Sequence, residues 1–134
     1  VTAPSEQLAA FLAATPYARF LGVEATWVGD AVIVALPYRP ALIGNTQLPA
    51  LHGGVLGGLL ELTALATLAA RLDTGRPSTV DFTIEYLRSA GPRDTHARAT
   101  IKRLGRRFAN VDVLAWQDDA EKPVAAISGR FSVT

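Results

Sequence analysis

Glu61 is the one charged residue between Gly53 and Ala70, in a stretch otherwise made of Leu, Ala, Gly, Val and Thr. A carboxylate in such a wall is costly to bury alone, so it has to find a partner. Held there, it is a candidate general base or nucleophile. Nine positions earlier stands His52, followed by Gly53 and Gly54. Glycines at a helix start leave backbone N–H groups bare at the positive end of the helix dipole. An oxyanion or a polarised carbonyl can sit there. One segment therefore offers a carboxylate and a backbone oxyanion site. Each feature also has a plain reading: a Glu paired with an Arg, a Gly-Gly turn, a capping His.

The element that must position these groups is residues 51–72, LHGGVLGGLLELTALATLAARL. Leu and Ala favour helix and no Pro interrupts it. It is apolar nearly all round, which predicts a helix buried on most sides. Residues 73–77, DTGRP, supply the stop. Upstream, residues 4–14 predict a short amphipathic helix with Leu8, Phe11 and Leu12 on one face, ended by Thr15-Pro16. Residues 20–28 and 31–36 predict a hairpin about Gly29-Asp30. Residues 37–50 form a loop with three prolines and the polar run Asn45-Thr46-Gln47; a loop this long usually works at a site. Downstream, alternation predicts strands over 78–87, 95–104, 107–116 and 124–133. In the first, Val80, Phe82, Ile84 and Tyr86 share a face. The expected order is helix, two strands, long helix, then a four-strand antiparallel meander. That is an α+β domain over 1–134, with 1–17 as N-terminal helix and lead-in, and one sheet curled round the long helix.

His-Gly-Gly followed by an acid nine positions after the His, on an apolar helix, resembles the hotdog-fold acyl-CoA thioesterases of the phenylacetate-pathway and aryl-CoA types. The run STVDFTIEYLR over 78–88 resembles the strand after the helix in that family, and the likeness extends from about Phe20 to the C-terminus. The resemblance implies that His52 and Gly53 belong to the catalytic set, with the Gly53 N–H on the thioester oxygen and Gly54 beside it. It implies that Glu61 is general base or nucleophile. Some members carry Asn or Gln six residues before the His; here that position is Thr46, flanked by Asn45 and Gln47. Aryl-CoA types place a hydroxyl four residues after the acid, where this chain has Leu65. Phenylacetate types use a strand hydroxyl instead, matched by Thr79. Coenzyme A enters as part of the substrate, with no separate cofactor. Its phosphates call for a basic rim, for which Arg88 and the cluster Arg103, Arg106 and Arg107 are the candidates.

The remaining numbers narrow the class. A net charge of +1 gives no case for nucleic-acid or membrane attraction. The absence of Cys excludes disulfides and thiol nucleophiles, and two His do not make a metal cluster. Val1 in place of an initiator Met points to a processed or trimmed start. No signal peptide is visible, and Glu61 with Gly57-Gly58 argues against a membrane span, so a cytoplasmic protein is expected. Two other readings compete: a non-catalytic acyl-CoA-binding module, and a hydratase or dehydratase on the same fold. A binder has no need of Glu61, and the Asp-x-Asn-Pro-x-x-His pattern of hydratases is missing.

Gly53 and Glu61 also constrain the assembly. Eight residues at 1.5 Å each put them about 12 Å apart along one helix. One carbonyl cannot touch both. Two helices packed antiparallel about a two-fold would bring the start of one to the middle of the other. The resemblance likewise implies homodimers, often paired into tetramers.

Overall fold

The computed structural model describes residues 4–72 and 76–134. The chain runs α1 (Pro4–Ala14), α2 (Pro16–Leu21), β1 (Glu24–Val28), β2 (Ala31–Leu36), a 3-10 turn (Pro40–Leu42), β3 (Ile43–Asn45), β4 (Ala50–Leu51), α3 (Gly53–Arg71), β5 (Ser78–Tyr86), β6 (Thr95–Leu104), β7 (Phe108–Trp116) and β8 (Ala125–Ser132). Six strands form one antiparallel sheet in the order β1-β2-β6-β7-β8-β5, and α3 lies in its concave face. This is the hotdog arrangement expected of the sequence.

Packing explains why the helix can sit so deep. The inner face of the sheet is rich in small side chains: Ala97, Ala99, Ala109, Ala115 and Ala125 are all buried. Against them α3 presents Leu56, Leu59, Leu60 and Leu68, so large residues meet small ones across the interface. The buried hydroxyls of Thr63 and Thr67 donate to the carbonyls of Leu59 and Thr63, each at 2.7 Å, so neither is left unpaired. By length and composition α3 could cross a membrane. Its buried face instead packs on the sheet. Gln7 Nε2 of α1 donates to the Leu72 carbonyl at 3.2 Å and covers the end of the helix. The predicted stop over 73–75 lies outside the described residues.

Two expectations need correction. The helix predicted over 4–14 ends at Ala14 as expected, but Pro16 then opens a second helix, α2, at a first-turn position where its missing N–H costs nothing, and Gly22 closes α2 at φ 73°. The strand predicted from residue 20 therefore starts at Glu24. The last four strands are not a simple meander. β6, β7 and β8 follow one another, but β5 pairs with β8 at the sheet edge, and β6 pairs with β2. The long connection from β5 back to β6 is held by the buried Gln117, which bonds the backbone of Gly91 in both directions. The helix is buried on most sides, as expected, and open along one. Gly54, Gly57, Gly58, Glu61 and Leu65 form a partly open stripe along one face.

The face of β5 also differs from simple alternation. A bulge between Thr79 and Asp81 shifts its register against β8. One extra residue reverses which side chains point inward beyond it. Thr79 therefore shares the helix-facing side with Phe82 and Ile84, while Val80 is turned out and 44% exposed.

Candidate active site

The start of α3 is built around one free donor. His52 is the N-cap residue, and its Nδ1 accepts from the Gly54 N–H at 2.8 Å. Nδ1 is thus the unprotonated ring nitrogen. The N–H groups of Val55 and Leu56 both reach the His52 carbonyl, at 3.0 and 3.3 Å. The Gly53 N–H alone in this turn has no partner among the described residues. Of the two glycine donors expected, then, Gly54 is engaged by the cap and Gly53 is open. Tyr86 donates its hydroxyl to the Gly53 carbonyl at 2.9 Å and fixes this turn against β5. A Cβ at Gly53 would come within 3.2 Å of that hydroxyl, a contact that the exposed Tyr86 side chain can relieve by moving a few tenths of an ångström.

Glu61 sits two turns further on, half-buried. Thr79 donates its hydroxyl to Glu61 Oε2 at 2.6 Å. This is the partner the carboxylate needed, and it comes from a strand rather than from an Arg. β5 runs antiparallel to α3, so Tyr86 meets Gly53, Ile84 lies beside Gly57 and Thr79 reaches Glu61.

The stripe has a second wall. Tyr17 of α2 lies against Gly58, where a Cβ would meet its Cε2 at 2.5 Å and its hydroxyl oxygen at 2.9 Å. Successive residues are about 100° apart round a helix. With Gly57 as origin, Glu61 projects at about 40° and Gly58 at about 100°. Glu61 therefore rises from a trough with β5 on one side and Tyr17 on the other.

The other expected residues fall into two groups. Asn45, Thr46 and Gln47 form the exposed tip between β3 and β4. Asn45 Oδ1 accepts from the N–H groups of Gln47 and Leu48 at 3.1 and 3.2 Å, closing the turn. The hairpin lies next to His52, since a Cβ at Gly44 would be 2.9 Å from the His52 Cα. It does not reach Glu61 of its own chain by any hydrogen bond among the described residues. Leu65 continues the open stripe beyond Glu61.

The basic residues occupy opposite ends of the sheet. Arg88 Nη1 donates to the Pro123 carbonyl at 2.8 Å and lines a cleft of about 430 Å³ with Gly53 and Tyr86. Arg103, Arg106 and Arg107 line another of about 730 Å³ with Gly105 and Thr134. Register places that hairpin at the Glu61 end: Thr79, Phe131, Ala109 and Leu104 form one cross-strand row. None of these three Arg forms a salt bridge among the described residues. No cluster of His, Cys, Asp or Glu suited to a metal occurs among the described residues.

The family model of the thioesterase superfamily matches residues 48–124, which hold the helix, Glu61 and three of the six main strands, β5, β6 and β7. The chain belongs to this superfamily. Among solved structures, this thioesterase-superfamily chain is similar to a protein from Chromobacterium violaceum, at 32% identity over 97% of this chain and 91% of that one, with a TM-score of 0.77. It is also similar to a phenylacetic acid degradation-related protein from Ralstonia eutropha JMP134, at 26% identity over 95% and 99%, TM-score 0.79. The PaaI protein of the Escherichia coli phenylacetic acid degradation operon shares the fold at 18% identity over 96% and 91%, TM-score 0.84. No curated protein matches the sequence. Two features of the site escape the sequence: Tyr86 as the residue holding the Gly53 turn, and Tyr17 as the second wall. Gly58, an apparent flaw in a good helix, was the signal for the latter.

Proposed function

We propose that this protein hydrolyses an aryl- or medium-chain acyl-CoA thioester to the free acid and coenzyme A. The observation that carries the reading is the 2.6 Å bond from Thr79 to Glu61 Oε2, which fixes a half-buried carboxylate on the partly open face of α3. With Oε2 held, Oε1 is free to act. As general base it takes a proton from water while the water oxygen attacks the thioester carbon. The resulting oxyanion is stabilised by the Gly53 N–H. The C–S bond then breaks, and the sulfur leaves as CoA thiol with the proton from Glu61. As nucleophile, Glu61 instead attacks the carbon, expels the thiolate and forms an anhydride that water opens.

The site is shared by two copies of the chain. Gly53 and Glu61 are about 12 Å apart on one helix, too far for one carbonyl. The partly open stripe of α3 and the free edge of β5, which pairs only with β8 among the described residues, support an antiparallel two-fold contact. Such a contact also joins the two basic groups. Gly53 and Arg88 of one chain meet Glu61, Thr79 and the Arg103–Arg107 hairpin of the other, giving the CoA phosphates a two-sided cationic rim.

The test is a hydrolysis screen over a panel of acyl-CoAs with a thiol-trapping reagent, run on wild type and Glu61→Gln. Thiol release should fall at least about a hundredfold in the variant, the scale of losing a general base. Near-wild-type turnover in Glu61→Gln contradicts the assignment. Acyl-CoA binding with no turnover in the wild type contradicts the reaction.

A further inference from the structure

Gly57 and Gly58 interrupt a helix that otherwise uses strong helix formers, and each costs about 1 kcal/mol relative to Ala. The two glycines differ in what surrounds them. A Cβ at Gly57 would meet Ile84 Cδ1 at 3.6 Å, an ordinary contact. A Cβ at Gly58 would meet Tyr17 at 2.5 Å from Cε2 and 2.9 Å from the hydroxyl oxygen. Gly58 is therefore the seat of the Tyr17 ring. The ring is fixed from behind as well. Phe20 stacks on it with centroids 6.1 Å apart and planes 15° apart. The Arg39 guanidinium lies 5.2 Å from the Phe20 ring centroid and donates to the Phe20 carbonyl at 2.8 Å.

This effort holds two aromatic rings where they are not buried. Tyr17 is 41% exposed and Phe20 65% exposed, so core packing does not explain them. What Tyr17 borders is the trough that contains Glu61, on the side opposite Thr79. The basic hairpin lies on the β5 side of the trough, in the row that leads from Thr79 through Phe131 and Ala109. A thioester with its phosphates on that side and its carbonyl at Glu61 must extend its acyl group towards Tyr17.

We propose that Tyr17, with its Cε2–hydroxyl edge on Gly58 and one face covered by Phe20, is a specificity-determining residue of the site, offering its other face to the acyl group. An aromatic face favours a planar acyl group through offset stacking and rewards a flexible chain less. The proposal rests on the hydrolase reading above, and the experiment separates the two. We would measure kcat and KM for phenylacetyl-CoA and octanoyl-CoA, acyl groups of equal carbon count, in wild type, Tyr17→Leu, Tyr17→Phe, Phe20→Ala and Gly58→Ala.

Tyr17→Leu should lower the ratio of kcat/KM for phenylacetyl over octanoyl about tenfold. Tyr17→Phe, which keeps the ring, should retain the wild-type ratio. Gly58→Ala keeps Tyr17 but displaces it, and should reduce the ratio several-fold while raising the melting temperature. Phe20→Ala, at a more exposed position, should lower the ratio in the same direction and decides the matter if Tyr17→Leu does not fold. A ratio unchanged in both Tyr17→Leu and Phe20→Ala overturns the proposal and leaves the hydrolase reading intact. So does dissociation of the assembly with an unchanged ratio, which assigns the rings to subunit contact. A wild type that turns over no acyl-CoA contradicts the hydrolase reading and takes this proposal with it.

Discussion

Removing the Thr79 hydroxyl isolates what the hydrogen bond to Glu61 contributes. The bond is short, 2.6 Å, and its acceptor is a carboxylate. Hydrogen bonds to charged groups contribute about 1.5–3 kcal/mol net, and the half-buried setting of this one argues for the lower end. About 1.5 kcal/mol corresponds to roughly a tenfold change in rate if the whole of it is felt when the base acts. Thr79→Ala should therefore lower kcat about tenfold, with KM little changed, because the hydroxyl orients the carboxylate and does not bind CoA. Thr79→Val removes the donor at nearly constant volume and should behave like Thr79→Ala. Thr79→Ser restores the donor on a less restricted side chain and should stay within about threefold of wild type. The assay is thiol release at saturating acyl-CoA, with thermal melts to confirm the fold. A Thr79→Ala variant as inactive as Glu61→Gln would refute the assignment of roles. One with unchanged kcat would refute the importance of the bond.

Two further outcomes follow from the same geometry. Gly129 faces Phe82 beside the β5 bulge, and a Cβ there would meet Phe82 Cβ at 2.6 Å and the Asp81 carbonyl at 2.9 Å. Gly129→Ala should cost about 1–3 kcal/mol in denaturant unfolding and lower kcat by misplacing Thr79; an unchanged midpoint and kcat would contradict the role of the bulge. Arg106→Ala and Arg107→Ala should each raise KM for acyl-CoA, less so at high salt, and leave a thioester lacking the nucleotide unaffected. Equal effects on both substrates would remove the hairpin from the site.

What the sequence disclosed depended on the range of the interaction. The helix, its lone acid and its glycine start are local, and a run of helix-forming residues bounded by turn residues was enough to find them. The hairpin from β1 to β2 and the run β6-β7-β8 join neighbours in sequence and were equally plain. The position of β5 was not, because its partner β8 lies some forty residues on and its pairing leaves no local trace. The bulge before Asp81 was hidden for the same reason, so Val80 looked inward-facing when Thr79 is. The helix after Pro16 was missed because the proline that ends one helix also begins another. Tyr17 on Gly58 and Tyr86 on Gly53 join residues 41 and 33 positions apart, and only the fold brings them together.

The central claim is that one chain supplies the carboxylate and another the oxyanion donor. Glu61→Ala and Gly53→Pro each remove one of them, and Pro suits a first helical position, so the second variant should fold. Each homodimer should be nearly inactive. Mixed by unfolding and refolding together, random pairing makes about half the dimers hybrid, and each hybrid has one intact site in two. The account predicts the return of about a quarter of wild-type activity. Mixing that yields verified hybrid dimers and no activity above the parents would contradict it.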